Sequence, residues 1–91
     1  MADEGRLREE LDRGQKANDI IRNPVFEETF MVLRQRYTTL WENTEIDEQE
    51  EREKLYFAIN VLGDIYDHIV SVMQTGEMAD RELVLPENSV H

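Results

Sequence analysis

The stretch DEQEEREKLYFAINVLGDIYDHIVSVMQTG, residues 47–76, decides the fold. Read as a helix, it places Leu55, Ala58, Leu62, Ile65, Ile69 and Val72 on one seam, stepping three and four residues in turn. Such a 3.5-residue repeat belongs to helix-on-helix packing. A second apolar row, Ile59, Tyr66, Val70 and Met73, runs beside the first. The two rows together are wider than a single partner helix covers, so this helix is expected to touch at least two others.

Upstream, Asn23-Pro24 marks a helix start. Asn is a strong N-cap, and Pro suits the first helical position because its missing N–H would be unsatisfied there anyway. The helix that begins at Pro24 carries Phe26, Phe30, Leu33, Tyr37 and Leu40 on one stripe with Trp41 at its edge. Glu27 and Glu28 in the first turn and Arg34 and Arg36 further along complement the helix dipole. It should stop near Asn43-Thr44, and the short linker to Asp47 forces the next helix to fold back antiparallel. Asp47 with Glu50 resembles a capping box. Gly76 fits a C′ glycine closing the long helix, Leu85-Pro86 ends any further turn, and residues 84–91 read as a loose tail.

The expected fold is all-α: an antiparallel hairpin of about 24–43 and 47–75, with an additional N-terminal helix laid across or beside it. That first helix, with Leu7 and Leu11 at helical spacing, is weakened at Gly14 by about 1 kcal/mol relative to Ala. It reads as frayed over residues 1–12 and firmer around Ala17, Ile20 and Ile21, with Glu9 and Glu10 placed to pair with Arg6 or Arg13. Residues 1–91 form one small domain, and no alternating pattern is long enough for a strand.

Composition bounds the function. Charged residues make up 34% of the chain and the formal net charge is −11. So acidic a surface repels phosphate backbones and disfavours direct contact with nucleic acid or an anionic membrane. Solubility is its simplest explanation. Without cysteine there is no disulfide, thiolate metal site or thiol nucleophile. The charged Met1-Ala2-Asp3-Glu4 start does not resemble a signal peptide, no run approaches a membrane span, and an intracellular location is the default.

No constellation asks for catalysis, a metal or a cofactor. Asp64 and His68 lie one turn apart beside Asp67, but a metal site needs further ligands, and a surface histidine among acids is the simpler reading. The acidic run Glu45 to Glu53 lacks the alternation and central glycine of a calcium loop. Ser71 and Ser89 have no reason to meet a base. Arg13, Arg22, Arg34 and Arg36 form the one basic concentration, and neighbouring acids suffice to pair with them. Gly63 either permits close helix approach or is a tolerated surface glycine. The aromatics are more telling. Tyr56 and Phe57 both adjoin the seam near Leu55 and cannot both enter one hairpin interface. One of them meets the first helix, a neighbouring copy or another protein. The expected protein interface comprises Trp41, Tyr56, Phe57, Ile59, Tyr66, Val70 and Met73.

The run from Arg13 through Asn23-Pro24 to Phe30 resembles the opening of a group of short, largely uncharacterised proteins encoded by tailed bacteriophages and prophages. The likeness continues through Leu40 to Thr44, Asp47 and Arg52 to Tyr56, and ends with Gly76 to Ala79, covering roughly residues 13–83. Genes of that group sit among head and DNA-packaging genes. The resemblance therefore implies a non-enzymatic structural or assembly role, as an oligomer or docked on a capsid, portal or packaging protein, in the virion or host cytoplasm. Two other roles fit the residues less closely: an acidic regulator inhibiting a host enzyme by DNA mimicry, and a small-terminase oligomerisation module. Against the latter, no basic recognition helix follows a turn.

If the seam is correctly placed, Leu62→Asp should lower the thermal midpoint and the helical circular-dichroism signal, because a carboxylate in an apolar interface costs several kcal/mol.

Overall fold

A computed structural model describes residues 3–89, with side chains through Val84. It contains three helices: α1 (Glu4–Arg22), α2 (Pro24–Glu42) and α3 (Gln49–Ser89), and no strand among the described residues. The all-α expectation therefore holds. The chain divides into two units, one made of α2 and α3 up to Asp67, the other of α1 and α3 from His68 onward.

The first unit is the hairpin. Its entry is the Asn23-Pro24 signal: the Asn23 Oδ1 accepts from the backbone N–H groups of Val25 at 2.9 Å and Phe26 at 3.3 Å, with Pro24 at the first helical position. Such a cap contributes about 1 kcal/mol. At the other end, the Asn43 N–H donates to the Thr39 carbonyl, and the Thr44 hydroxyl donates to the Trp41 carbonyl at 2.7 Å. Two of the carbonyls that a helix end leaves unpartnered are thus satisfied.

The turn before α3 is not closed by Asp47 and Glu50. The Glu48 carboxylate instead accepts the Glu45 N–H at 2.8 Å, while the Glu48 carbonyl accepts the first helical N–H, from Arg52. Glu48 thus occupies the capping position, one residue later than expected, and its longer side chain reaches back across the turn.

Phe30 meets Tyr66 with ring centroids 5.6 Å apart, and the Arg52 guanidinium lies 5.6 Å from the Trp41 ring. Partners rise in number on α2 as they fall on α3, so the two run antiparallel. Phe26, Phe30, Leu33, Tyr37 and Trp41 are the half-buried stripe of α2, whereas Leu40 is turned further out. Trp41 rather than Leu40 continues the stripe because four-residue steps follow Leu33. On α3 the inward positions draw from both apolar rows: Leu55, Ile59 and Leu62 are half-buried, while Ile65 lies exposed on a flank. Leu62 keeps some contact with water, which moderates the penalty for a charge there. No residue of α2, nor any between Asn43 and Asp67, is fully buried.

Full burial occurs in the second unit. Leu7 and Ala17 of α1 and Ala79 of α3 are 3%, 5% and 1% exposed, and Gly14 and Gly76 are buried with them. The two glycines are where the backbones meet. A Cβ built on either one would stand 2.7 Å from the other's Cα. Gly76 is therefore not a C′ glycine: no glycine among the described residues has positive φ, and α3 runs on through it to Ser89, past the stop expected at Leu85-Pro86. Gly14 likewise serves the crossing at the cost of intrinsic helix propensity. α1 is helical from Glu4, capped by Asp3 and braced by Arg6–Glu10 and Asp12–Lys16 ion pairs at i,i+4 spacing.

The glycines give a paired test by thermal unfolding. Ala adds roughly 0.5–1 kcal/mol of helix preference over Gly. At Gly14 or Gly76 its methyl meets backbone, so Gly14→Ala and Gly76→Ala should each destabilise by about 1–3 kcal/mol despite that gain. At Gly63 nothing lies within 4 Å of the added atom. Gly63→Ala should raise the midpoint.

Candidate functional site: the hairpin surface

The aromatic and apolar side chains that sequence spacing marked as an interface are distributed over both units. Trp41, Tyr56, Phe57, Ile59 and Tyr66 belong to the hairpin, and Val70 and Met73 to the second unit. Within the hairpin they divide by exposure. Ile59 is half-buried and faces inward, and Tyr66 is partly exposed with its ring tilted against Phe30. These two hold α2 to α3. Val70 and Met73 are half-buried in their own unit.

Tyr56 and Phe57 are 62% and 70% exposed, so neither is buried against another part of the chain. They lie on different flanks, one residue and therefore 100° apart on α3. Tyr56 shares a shallow recess with Trp41, Ile46, Gln49, Arg52 and Glu53. This recess is built at the closed end of the hairpin. The Thr44 hydroxyl fixes the helix end below Trp41, the Arg52 guanidinium covers its ring, and the Asn60 amide donates to the Tyr56 carbonyl one turn on. Ile46, at 92% exposed, stands at its rim. The spacing did not single out Ile46, because a lone apolar residue in an acidic linker carries no periodic signal.

The opposite flank is less conspicuous in the sequence. Val25, Val32 and Leu40 on α2 and Phe57, Val61 and Ile65 on α3 are all exposed. The last three step by four residues, a ridge along one side of the helix.

Asp64 and His68 are both exposed, and among the described residues no three His, Asp or Glu side chains are grouped to hold a metal ion. Arg13, Arg22, Arg34 and Arg36 are all exposed. The Lys16 ammonium is held above the usual lysine range, first by its hydrogen bond to Asp12 and then by that carboxylate's charge. This pair braces α1, as its spacing implies. No helix among the described residues is long and apolar enough to cross a membrane.

No family model matches the chain, and no curated protein or solved structure matches it either.

The Arg52–Trp41 contact is open to direct measurement, since Trp41 is the sole tryptophan. Arg52→Ala should shift its fluorescence emission to longer wavelength as the ring gains water. It should also lower stability by about 0.5–1 kcal/mol, the usual worth of an exposed cation–π pair. An unchanged emission maximum would mean that the guanidinium does not cover the ring in solution.

Proposed function

We propose that this chain is a non-enzymatic packing module, a structural or assembly component of a tailed-phage particle that acts through protein contacts made by its helical hairpin. The observation that carries this reading is the contrast between the hairpin's exposed and buried side chains. No residue between Asn23 and Asp67 is fully buried, yet Val25, Phe57 and Ile46 are each more than two thirds exposed. Isolated exposed apolar residues are ordinary, but rows of them rimmed by charge mark surfaces that proteins cover. The hairpin contributes the rows, and α1 with the later part of α3 contributes the tightly packed crossing.

The phage setting is supported by the resemblance of residues 13–83. Its partners on this reading are further copies of the chain or a capsid, portal or packaging protein, met in the virion or in the host cytoplasm during assembly. The chain's acidity keeps it off the packaged DNA itself.

Quantitative mass spectrometry of particles purified from a phage encoding this chain tests the role. A fixed copy number beside the capsid and portal proteins is the expected result. Absence from mature and immature particles, with abundant protein in the infected cell, would overturn it in favour of an acidic inhibitor of a host enzyme.

A further inference from the structure

The hairpin has two flanks, and they differ in chemistry. Taking the half-buried stripes as the line where α2 and α3 meet, 100° per residue assigns Trp41, Arg52 and Tyr56 to one flank. Val25, Val32 and Leu40 of α2 and Val61 and Ile65 of α3 turn the other way, with Phe57 at the outer edge of the α3 ridge, and because the helices are antiparallel both rows rise on the same side of the hairpin. We propose that this second flank is where two copies of the chain pair face to face, their α2 and α3 helices completing a four-helix bundle. The proposal rests on the reading above, that the chain works by packing on protein, and names the first partner as the chain itself.

Area, charge and geometry support that occupant. Six large apolar side chains, each more than a third exposed, present several hundred Å² of surface. That approaches the ~800 Å² per partner of a stable pair before the stems of flanking residues are counted. In and between the two rows lie Thr29, Arg36, Glu50, Glu51, Lys54 and Ala58. Two are basic and two acidic, a neutral sum in a chain whose formal net charge is −11. This flank is therefore one on which two strongly acidic molecules can meet with their charges in balance.

Arg36 and Lys54 are exposed, and the ion pairs of the described residues, both within α1, include neither. Glu50 and Glu51, also exposed, stand in and beside the α3 row, and Glu28, exposed as well, borders the α2 row on its outer side. A second copy thus supplies acids to the cations and cations to the acids, whereas a basic partner would be repelled by Arg36 and Lys54. A two-fold pair has this self-complementarity by construction. It would also give the hairpin the buried core it lacks alone, by the packing that four-helix bundles use.

Sedimentation equilibrium of the full-length chain tests the pairing. Twice the 10.8 kDa chain mass is expected at micromolar concentration, with a thermal midpoint that rises with protein concentration. Val61→Glu with Ile65→Glu should weaken the pair by at least roughly tenfold, since both replacements lie inside the covered area. Tyr56→Glu, on the other flank, should leave the dissociation constant unchanged. A wild-type chain that stays at single mass with a concentration-independent midpoint would overturn the proposal. So would a ring or larger assembly, or a double variant that pairs as tightly as wild type. Should the double variant fail to fold, the concentration dependence of the wild-type midpoint still decides. The outcome is separable from the particle assay: a dimer absent from particles removes only the particle role, and a monomer incorporated in particles removes only the pairing.

Discussion

The contact between Gly14 and Gly76 is the constraint on which the packed part of this protein depends. Among the described residues every fully buried one belongs to the unit it holds, and each is small except Leu7. Small residues let two helix backbones touch, and backbone-to-backbone contact admits no adjustment by rotamer. A methyl group is already too much. The same close approach limits how much apolar area the crossing can bury, because glycine and alanine have little to offer. The unit gains its definition from shape more than from burial.

The hairpin follows the opposite logic. Its helices are held by large side chains, Phe30 against Tyr66 and Arg52 over Trp41, and the half-buried Phe26, Tyr37, Leu55, Ile59 and Leu62 remain partly open to water. Caps and turn contacts make up part of the difference: Asn23 at the entry, Thr44 at the exit and Glu48 across the turn are each worth a modest amount. A two-helix hairpin buries each helix on one side only, which leaves its outer flanks for others. The acidic surface elsewhere narrows where those others can approach.

Much of this was legible in the residues, and the exceptions have physical causes. Asn23-Pro24 was readable because a cap is a local event, decided by two neighbouring residues. The hairpin followed from a short linker between two apolar stripes. The glycines were misread because sequence offers the same letter for two opposite uses. A left-handed residue that ends a helix and a bare Cα that lets a neighbour approach both require Gly, and only the partner, sixty-two positions away at Gly14, distinguishes them. Spacing also divided α3 into two rows, whereas packing selects the positions between them, which is why Ile65 faces water and Ile59 does not. Of the open flank, Phe57 was conspicuous from the start, Val61 belonged to neither row, and Ile65 was hidden inside a pattern that looked like core.

The distance along the chain between the two glycines has a consequence for synthesis. The hairpin is made of neighbours and can close as soon as residue 67 or so is available, on the microsecond scale of local helical pairing. α1, although translated before the hairpin, has nothing to cross until Gly76 and Ala79 emerge. Its Leu7 and Ala17 therefore wait uncovered while the entire hairpin is made. A helix made before the hairpin is thus secured after it, and loss of α3 from Gly76 onward would release α1 as well.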